Sequence, residues 1–377
     1  MGESGKFGPM PGNRMFVALH DAESIVMAAN TRIVPGVVKG IFRAAKSLKA
    51  AVIFELAKSE SDLKGGYTGL TPQDYSSAVQ DAANEVGFSK WVLHADHITV
   101  KKGTDDEIED VKKLIVAQIN AGYTSFAIDA SFLFNLDEPT VAGQLKKNIE
   151  VTEKLALFIK EKMGEKEFGL EVEVGEIGKK DKGGLVLTTA EEASTFIKEL
   201  NARGIFPQLL AIANGSTHGN IYDDDGNLIS QVSINIERTV EIAKAIEAFN
   251  VRIAQHGITG TPLRFIDTKF PKGFILKGNV GTFWMNLAWE VFEIYEPELY
   301  EDIWNWTLDT YKDAAAKKGI TKNNEIFGKY SKFAIKEFKG RIYSVSEETK
   351  RALEAKAYSG ALMFFKAFGA GGTSDKL

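Results

Sequence analysis

The chain has 377 residues, 44% of them hydrophobic and 26% charged, and its formal net charge is -5 at pH 7. This composition is typical of a globular protein with a large core, and the lack of a basic excess argues against a nucleic-acid partner. Cysteine is absent, which excludes disulfides and thiolate metal sites and fits a reducing compartment.

The start of the chain carries no export signal that we recognise. Residues 1–14 are rich in glycine and proline and lack the apolar core of a signal peptide. No later stretch approaches the roughly 18 unbroken apolar residues of a membrane span. We therefore expect a cytoplasmic protein that does not contact membranes.

Short apolar runs alternate with longer amphipathic ones, a pattern that indicates repeated strand–helix units around a parallel sheet. Eight strands are predicted, at Ser24–Asn30, Ala51–Ala57, Lys90–His97, Ser125–Ser131, Gly169–Gly175, Gln208–Asn214, Arg252–His256 and Gly273–Asn279. Helices are predicted between them, including Pro35–Leu48, Thr71–Val86, Asp105–Asn120, Val141–Lys162, Ala190–Ala202 and Ile234–Phe249. The sequence therefore predicts an α/β fold of the TIM (β/α)8 barrel class.

A helical region follows the eighth strand and exceeds the one closing helix that a barrel needs. Helical patterns cover Leu299–Lys318 and Ser346–Phe368, and tryptophans nearby are expected to serve in packing. We expect residues 1–377 to form a single barrel domain, with residues 285–377 as an appended helical tail that caps the barrel or builds a subunit interface.

Three of the five histidines stand where a predicted strand runs into a polar or glycine-rich turn: His97, His218 and His256. In a barrel the carboxyl ends of the strands meet at one face, which carries the chemistry. Three imidazoles from distant segments predict a zinc site with an open position for substrate or water. His20 and His94 lack flanking glycines, and we expect His94 to pack on the face opposite Asp96.

Five motifs follow one another in a recognisable order along the chain. They are Leu93-His94-Ala95-Asp96-His97, Ala127-Ile128-Asp129-Ala130-Ser131, Leu170-Glu171-Val172-Glu173-Val174-Gly175, Ser216-Thr217-His218-Gly219 and Gln255-His256-Gly257. Together they resemble the signatures of the class II, zinc-dependent fructose-bisphosphate aldolases. The similarity runs from about residue 20 to residue 285, with a weaker echo at Ala367-Phe368-Gly369.

The resemblance implies a role for each metal-site residue. His97, His218 and His256 would be the Zn²⁺ ligands, and Asp96 would be the acid/base that handles the proton of the substrate's C4 hydroxyl. A divalent cation stabilises the anion that forms when the C3–C4 bond breaks. A monovalent cation is a further possible cofactor.

Two acids at strand ends, Glu173 and Asp129, have two open interpretations. They could hydrogen-bond to the ligands of the metal or serve as alternative ligands, or they could be buried acids that fix the barrel mouth by hydrogen bonds. Glu171 shares a strand face with Glu173 and stays ambiguous.

The resemblance also places the substrate contacts. Backbone amides after the ligand histidines, at Gly219 and Gly257, would approach a phosphate, and Thr259 and Thr282 would add side-chain donors. Asn279 would donate to the phosphate as well, and in the family the matching asparagine also holds the enediolate. Asn30 matches another polar contact near the substrate.

The sequence departs from the family at three recognition positions. In the loop Gly178-Lys179-Lys180-Asp181-Lys182-Gly183-Gly184, the acid in register is Asp181, where the family has an acidic pair that includes a catalytic glutamate. Gly281 stands in place of an aspartate, and Ala57 in place of a phosphate-binding serine. Asp181 is either the second acid/base or part of a solvated charged loop.

We expect a lyase that reversibly cleaves a ketose bisphosphate, with fructose 1,6-bisphosphate first, to dihydroxyacetone phosphate and glyceraldehyde 3-phosphate, in glycolysis or gluconeogenesis. The alternatives are tagatose bisphosphate, a retro-aldol epimerase, a zinc hydrolase or a non-catalytic aldolase-like subunit. A Schiff-base enzyme would use Lys277, which is otherwise a phosphate or loop contact. We expect a homo-oligomer, a dimer or tetramer, in which Arg341 or Arg351 could reach a neighbouring subunit's substrate.

Overall fold

The computed structural model describes residues 7–175, 180–181, 184–216, 219–223, 225–230 and 233–377. Eight strands form a closed barrel in chain order, and every neighbouring pair is parallel. These strands are β1 (Val26–Asn30), β2 (Val52–Ala57), β3 (Trp91–Thr99), β4 (Ser125–Asp129), β5 (Gly169–Val174), β6 (Leu209–Ile212), β7 (Arg252–Gln255) and β8 (Ile275–Val280). The predicted TIM barrel is confirmed.

Fourteen α-helices are found among the described residues. They are α1 (Gly12–Ala18), α2 (Val37–Leu48), α3 (Pro72–Val86), α4 (Asp105–Asn120), α5 (Val141–Met163), α6 (Ala190–Ala202), α7 (Ile236–Ile246), α8 (Leu263–Lys269), α9 (Thr282–Tyr295), α10 (Pro297–Ala316), α11 (Asn323–Tyr330), α12 (Ala334–Glu337), α13 (Lys339–Tyr343) and α14 (Glu347–Ala367). Helices α2 to α9 each follow one barrel strand. The strands are almost wholly buried because helices cover one face of the sheet and the barrel interior is filled.

The first helix, α1, was not predicted, because its segment reads as a glycine- and proline-rich start. Its apolar residues Met15, Phe16 and Leu19 join a core cluster inside the barrel with residues from several strands. The amide of Gly12 donates to the carbonyl of Thr124, just before β4 begins. Helix α1 therefore closes the end of the barrel opposite to the strand ends that carry the histidines.

The predicted helical region after β8 is present, and it packs against helices of the barrel. Its last helix, α14, lies along α2, and the two backbones come close at Gly40. A Cβ added to Gly40 would lie 2.3 Å from the carbonyl oxygen of Glu354. The contact between these helices therefore depends on a residue without a side chain. No helix of the described residues has the length and apolar character needed to cross a bilayer.

Candidate metal centre and active site

A bulge in β3 sets the geometry of the site. Ala95 pairs with Phe126 and Ile98 with Ile128, so that Asp96 and His97 both stand opposite one residue of β4. His97 has a left-handed backbone, with φ +38°, which is uncommon outside glycine. Neighbouring residues of a regular strand point to opposite faces, and a bulge changes this. The strand was expected to end at His97, but it continues through the bulge to Thr99.

Asp96, His97 and His256 come together at the carboxyl ends of β3 and β7. One potential ligand atom from each lies within 4.8 Å of the others, and the two imidazole ring centres are 4.4 Å apart. The structure thus brings together two of the three predicted ligands. The third, His218, lies outside the described residues.

Carboxylates hold one nitrogen of each imidazole. Nδ1 of His97 is 3.0 Å from Glu173 and 3.5 Å from Asp129, and Nε2 of His256 is 3.2 Å from Glu171. Carboxylate partners of this kind orient imidazoles that bind metals. The acids predicted at the ends of β4 and β5 therefore contact the imidazole of His97.

The charges of this group are strongly coupled. Burial would lower the pKa of His97, but the carboxylates of Asp96, Glu173 and Asp129 outweigh it and raise that pKa well above its usual range. Burial, followed by the charge of Asp129, raises the pKa of Glu173 to about 8. The site therefore crowds acidic side chains around the imidazoles, an environment that favours a cation.

A buried lysine neutralises the acids deeper in the barrel. Nζ of Lys277 lies 2.8 Å from Glu171, 3.0 Å from Glu55 and 3.4 Å from Asp96. Burial would lower its pKa, but Glu171, Glu55 and Asp96 together raise it above the usual range. Lys277 is therefore a protonated ammonium inside the barrel, neither a loop contact nor the neutral amine that a Schiff base requires.

Asn279 joins this network at the level of Asp96. Its Nδ2 donates to Oε1 of Glu55 at 2.7 Å and to Oδ1 of Asp96 at 3.3 Å. Its Oδ1 is buried without a hydrogen-bond partner among the described residues, so an acceptor remains for a hydroxyl donor at the site. The pKa of Asp96 is lowered, because the charges of His97, Lys277 and His256 outweigh the effect of its burial. Asp96 is thus a carboxylate at neutral pH.

The expectation for His94 was half right. It is fully buried, and its Nδ1 lies 2.8 Å from the hydroxyl of Ser125. It does not face away from Asp96, however, because its ligand nitrogen, Asp96 and Glu55 lie within 4.8 Å of one another. Residues two apart in a strand share a face. The expectation that His94 packs on the face opposite Asp96 was therefore wrong.

A pocket of about 80 Å³ lies beside this cluster, between the ends of β7, β8 and β1. It is lined by six residues that were predicted to contact substrate: Asn30, Gly219, Gly257, Thr259, Asn279 and Thr282. Thr259 accepts from the amide of Phe283 in the first turn of α9. Amides at the start of a helix attract phosphate. We call this cavity, with Asp96, His97 and His256, the catalytic pocket.

Two charged residues of the catalytic pocket, Arg32 and Glu60, were missed. Nε of Arg32 donates to Glu60 at 2.8 Å, and Asn30 and the hydroxyl of Tyr67 donate to the same carboxylate. A Cβ at Gly281 would lie 3.2 Å from Nη2 of Arg32. The guanidinium therefore approaches the position where the family carries an aspartate. Both residues stand in polar segments that follow β1 and β2, and these segments could have indicated their place at the site.

Glu55 is a further residue of the catalytic pocket to which the sequence assigned no role. It stands in an otherwise apolar strand, Val52–Ala57, and a buried charge is rare unless it is paired. That pattern could have predicted its partner Lys277, which stands in the apolar strand β8.

Other predicted contributors are not placed at the site. Lys180–Asp181 is a two-residue strand that pairs antiparallel with Gly184–Leu185. The side chain of Asp181 lies outside the described part of the chain. Arg341 forms an exposed ion pair with Asp302, and Arg351 lines a surface cavity beside α2 and α3. Whether either arginine reaches another subunit stays a prediction.

The donor set fits a divalent metal. Two imidazoles from separate strands, with a carboxylate within 4.8 Å of both, are the nitrogen and oxygen ligands that zinc takes in proteins. The flanking acids Glu173 and Glu171 supply the partners that such imidazoles usually have.

Comparison with known proteins agrees with the geometry. Over 133 residues the chain is 29% identical to the D-tagatose 6-phosphate 4-epimerase of Agrobacterium fabrum, a match that covers 32% of this chain and 31% of that protein. It is 34% identical over 95 residues to the D-tagatose-1,6-bisphosphate aldolase subunit GatZ of Salmonella gallinarum, covering 24% of this chain and 22% of that protein. Each match thus spans less than a third of the relative's length.

The solved structure of a fructose-bisphosphate aldolase from Campylobacter jejuni shares the fold, with a TM-score of 0.62 at 16% identity, covering 98% of each chain. The family model described as "Fructose-bisphosphate aldolase class-II" matches residues 12–332. This match takes in the whole barrel and much of the helical region. The chain belongs to the class II fructose-bisphosphate aldolase family.

Proposed function

We propose that this protein is a metal-dependent aldolase that reversibly cleaves a ketose bisphosphate, with fructose 1,6-bisphosphate as the first candidate, to dihydroxyacetone phosphate and glyceraldehyde 3-phosphate. The observation that carries the proposal is the convergence of His97, His256 and Asp96 within 4.8 Å at the carboxyl ends of the barrel strands. Family membership supports the reaction class.

His97 and His256 would hold the metal, with His218 as the proposed third ligand. A bound divalent ion supplies Lewis-acid stabilisation of negative charge on the ketose oxygens. Glu173 and Glu171 keep the two imidazole rings in place through the contacts described above.

Asp96 is the proposed base of the cleavage. Its carboxylate takes the proton of the C4 hydroxyl, the C4–O bond becomes a carbonyl, and the electron pair of the C3–C4 bond passes to the ketose half. Lys277 and Asn279 fix the carboxylate from the other side. A proton delivered to C3 then completes the triose, and Asp181 is the proposed donor.

The catalytic pocket would bind the rest of the sugar. Gly257 and Gly219 are proposed to present amides to one phosphate, with Thr259 and Thr282 as side-chain donors. The buried Oδ1 of Asn279 would accept from a substrate hydroxyl. Asn30 is held by Glu60 at the same pocket.

A second candidate keeps the chemistry and changes the sugar. Both curated relatives named above act, by their names, on tagatose phosphates or take part in a tagatose-bisphosphate aldolase. The altered recognition positions Gly281 and Ala57 agree with a substrate other than the fructose ester. A non-catalytic role is less well supported, because Asp96, His97 and His256 are all present.

We also propose that residues 1–377 form one domain with an appended helical tail, as the sequence predicts. We propose further that the protein is a cytoplasmic homo-oligomer. The packing of α14 along α2 supports the first point.

The test is an assay of the purified protein with fructose 1,6-bisphosphate and tagatose 1,6-bisphosphate, with detection of triose phosphate and of epimerised sugar. We expect that a chelator abolishes C–C cleavage and that added zinc or cobalt restores it. The variant His218→Ala should lose both metal and rate. Full metal retention by this variant would refute the ligand assignment, and turnover that survives complete metal removal would refute the reaction class.

A further inference from the structure

After β6 the chain forms a small hairpin on its way to α7. Two short strands of this hairpin, Ile221–Tyr222 and Leu228–Ile229, pair antiparallel. Gly219, at the start of the hairpin, lines the catalytic pocket, and the residue before it is His218, the proposed third ligand of the metal. We call residues 219–223 and 225–230 the β6 hairpin. Its position sets where the chain passes the catalytic pocket.

Apolar packing holds the β6 hairpin only loosely. Leu228 is 58% exposed and Ile229 is 39% exposed. A cavity of about 460 Å³ is lined by residues of the hairpin together with Phe283, Leu287 and Met363. Side chains that border a cavity lack the contacts that close packing gives. The position of the hairpin therefore depends on a few specific contacts.

The first of these contacts joins two asparagines. Nδ2 of Asn286, in α9, donates to Oδ1 of Asn220 at 3.0 Å, and Nδ2 of Asn220 donates to Oδ1 of Asn286 at 3.3 Å. The pair uses a donor and an acceptor of each amide, so it fixes both the distance and the orientation of the two side chains. Because Asn220 is bonded to Gly219, this pair ties the wall of the catalytic pocket to α9.

The second contact is the close approach of a phenol ring to α11. A Cβ added to Gly328 would overlap the hydroxyl oxygen of Tyr222 and would lie 2.5 Å from its Cζ. Gly328 stands inside a helix, Asn323–Tyr330, where glycine is unfavourable relative to alanine. The absence of a side chain leaves room for Tyr222, whose hydroxyl also accepts from Asn220 at 3.1 Å. The hairpin is thus held at two neighbouring points, by α9 and by α11.

We propose that Asn286 and Gly328 are positioning residues of the active site. Through the two contacts described above they hold the β6 hairpin, and with it Gly219 and the adjoining His218. The inference rests on the proposed function, since it takes Gly219 as a phosphate contact and His218 as a metal ligand. The helical tail after β8 then contributes to metal binding, in addition to its packing against helices of the barrel.

The test compares the zinc affinities of the full chain and its variants, by competition between the zinc-loaded protein and a chromophoric chelator. Urea unfolding of the same samples measures global stability. We expect Gly328→Ala to weaken zinc binding about 10-fold, the lower end of the effect usual for residues that orient a metal ligand. The matched control is Gly340→Ala in α13, where no heavy atom lies within 4 Å of the added Cβ. Its zinc affinity should equal that of the wild type.

The asparagine pair gives a second test, which adds no atom to the packed structure. Asn286→Ala and Asn220→Ala should each weaken zinc binding by a similar factor. The double variant should bind zinc about as well as either single variant, because both substitutions remove the same contact. Fully additive losses would mean that the two residues act separately and would overturn the account of their contact.

Wild-type zinc affinity in Gly328→Ala and in both asparagine variants would overturn the proposal. A lowered urea midpoint beside that result would show a role in stability alone. A wild-type protein that binds no zinc would overturn both this inference and the proposed function. If the wild type binds zinc and the variants lose affinity as expected, but no sugar is cleaved, the proposed function fails and the positioning role stands.

Discussion

Lys277 gives the sharpest test of the buried charge network. Its ammonium is fully buried and contacts Glu171 at 2.8 Å, Glu55 at 3.0 Å and Asp96 at 3.4 Å. Replacement by methionine keeps a side chain of similar length but removes the charge, so that three carboxylates lose their common partner. Removal of one member of a buried ion pair costs about 3–5 kcal/mol. That is a large part of a total stability of about 5–15 kcal/mol.

Urea unfolding, followed by tryptophan fluorescence, measures this loss as a lower midpoint for Lys277→Met. The double variant Lys277→Met/Glu55→Gln should recover part of the lost stability, because one of the three carboxylates left without Lys277 is replaced by a neutral amide. The control is Lys329→Met, whose ion pair with Glu325 is exposed on α11 and should change stability by less than about 0.5 kcal/mol. An unchanged midpoint for Lys277→Met would refute the argument. Because Lys277 is protonated, treatment of the wild type with borohydride and substrate should also leave activity intact.

Three further variants test the site and the fold. His97→Ala should lower bound zinc from one equivalent toward none, as measured by elemental analysis, and an unchanged zinc content would exclude His97 as a ligand. Asp96→Asn should keep its zinc and lose cleavage rate by about 100-fold or more, the usual contribution of a general base; a near-normal kcat would remove Asp96 from that role. Gly40→Ala should lower stability by about 1–3 kcal/mol through overpacking against Glu354, despite a gain in helix propensity of about 1 kcal/mol. Its control is Gly340→Ala, where no heavy atom lies within 4 Å of the added Cβ, and equal stabilities of the two variants would contradict the packing account.

The barrel and the residues at its strand ends could be predicted because both follow from local patterns. Alternating strands and helices fix the closed sheet, and strand ends bring His97 and His256 to one face. The neighbours of these residues could not be predicted in the same way. Lys277 meets Glu55 and Glu171 from strands far away in the chain, and such contacts depend on sheet register and on side-chain length.

Local irregularities also escaped the sequence. The bulge at Asp96 and His97 leaves no glycine or proline signal, because the residue with positive φ is His97 itself. Helix α1 has only seven residues and a strongly turn-forming flank, so its amphipathic pattern is too short to recognise. His94 and Asp96 are two residues apart in β3, so regular alternation already places them on the same face.

The bulge in β3 places the proposed base and a proposed metal ligand at adjacent positions of the chain. Asp96 and His97 are bonded neighbours, so a rotation of the backbone between them displaces the proposed proton carrier and the proposed metal ligand together. Insertion or deletion of a residue there would put one of the pair on the far side of the sheet. The covalent chain therefore limits the distance between the proposed metal ligand and the proposed base, and a shift of one residue also moves the other.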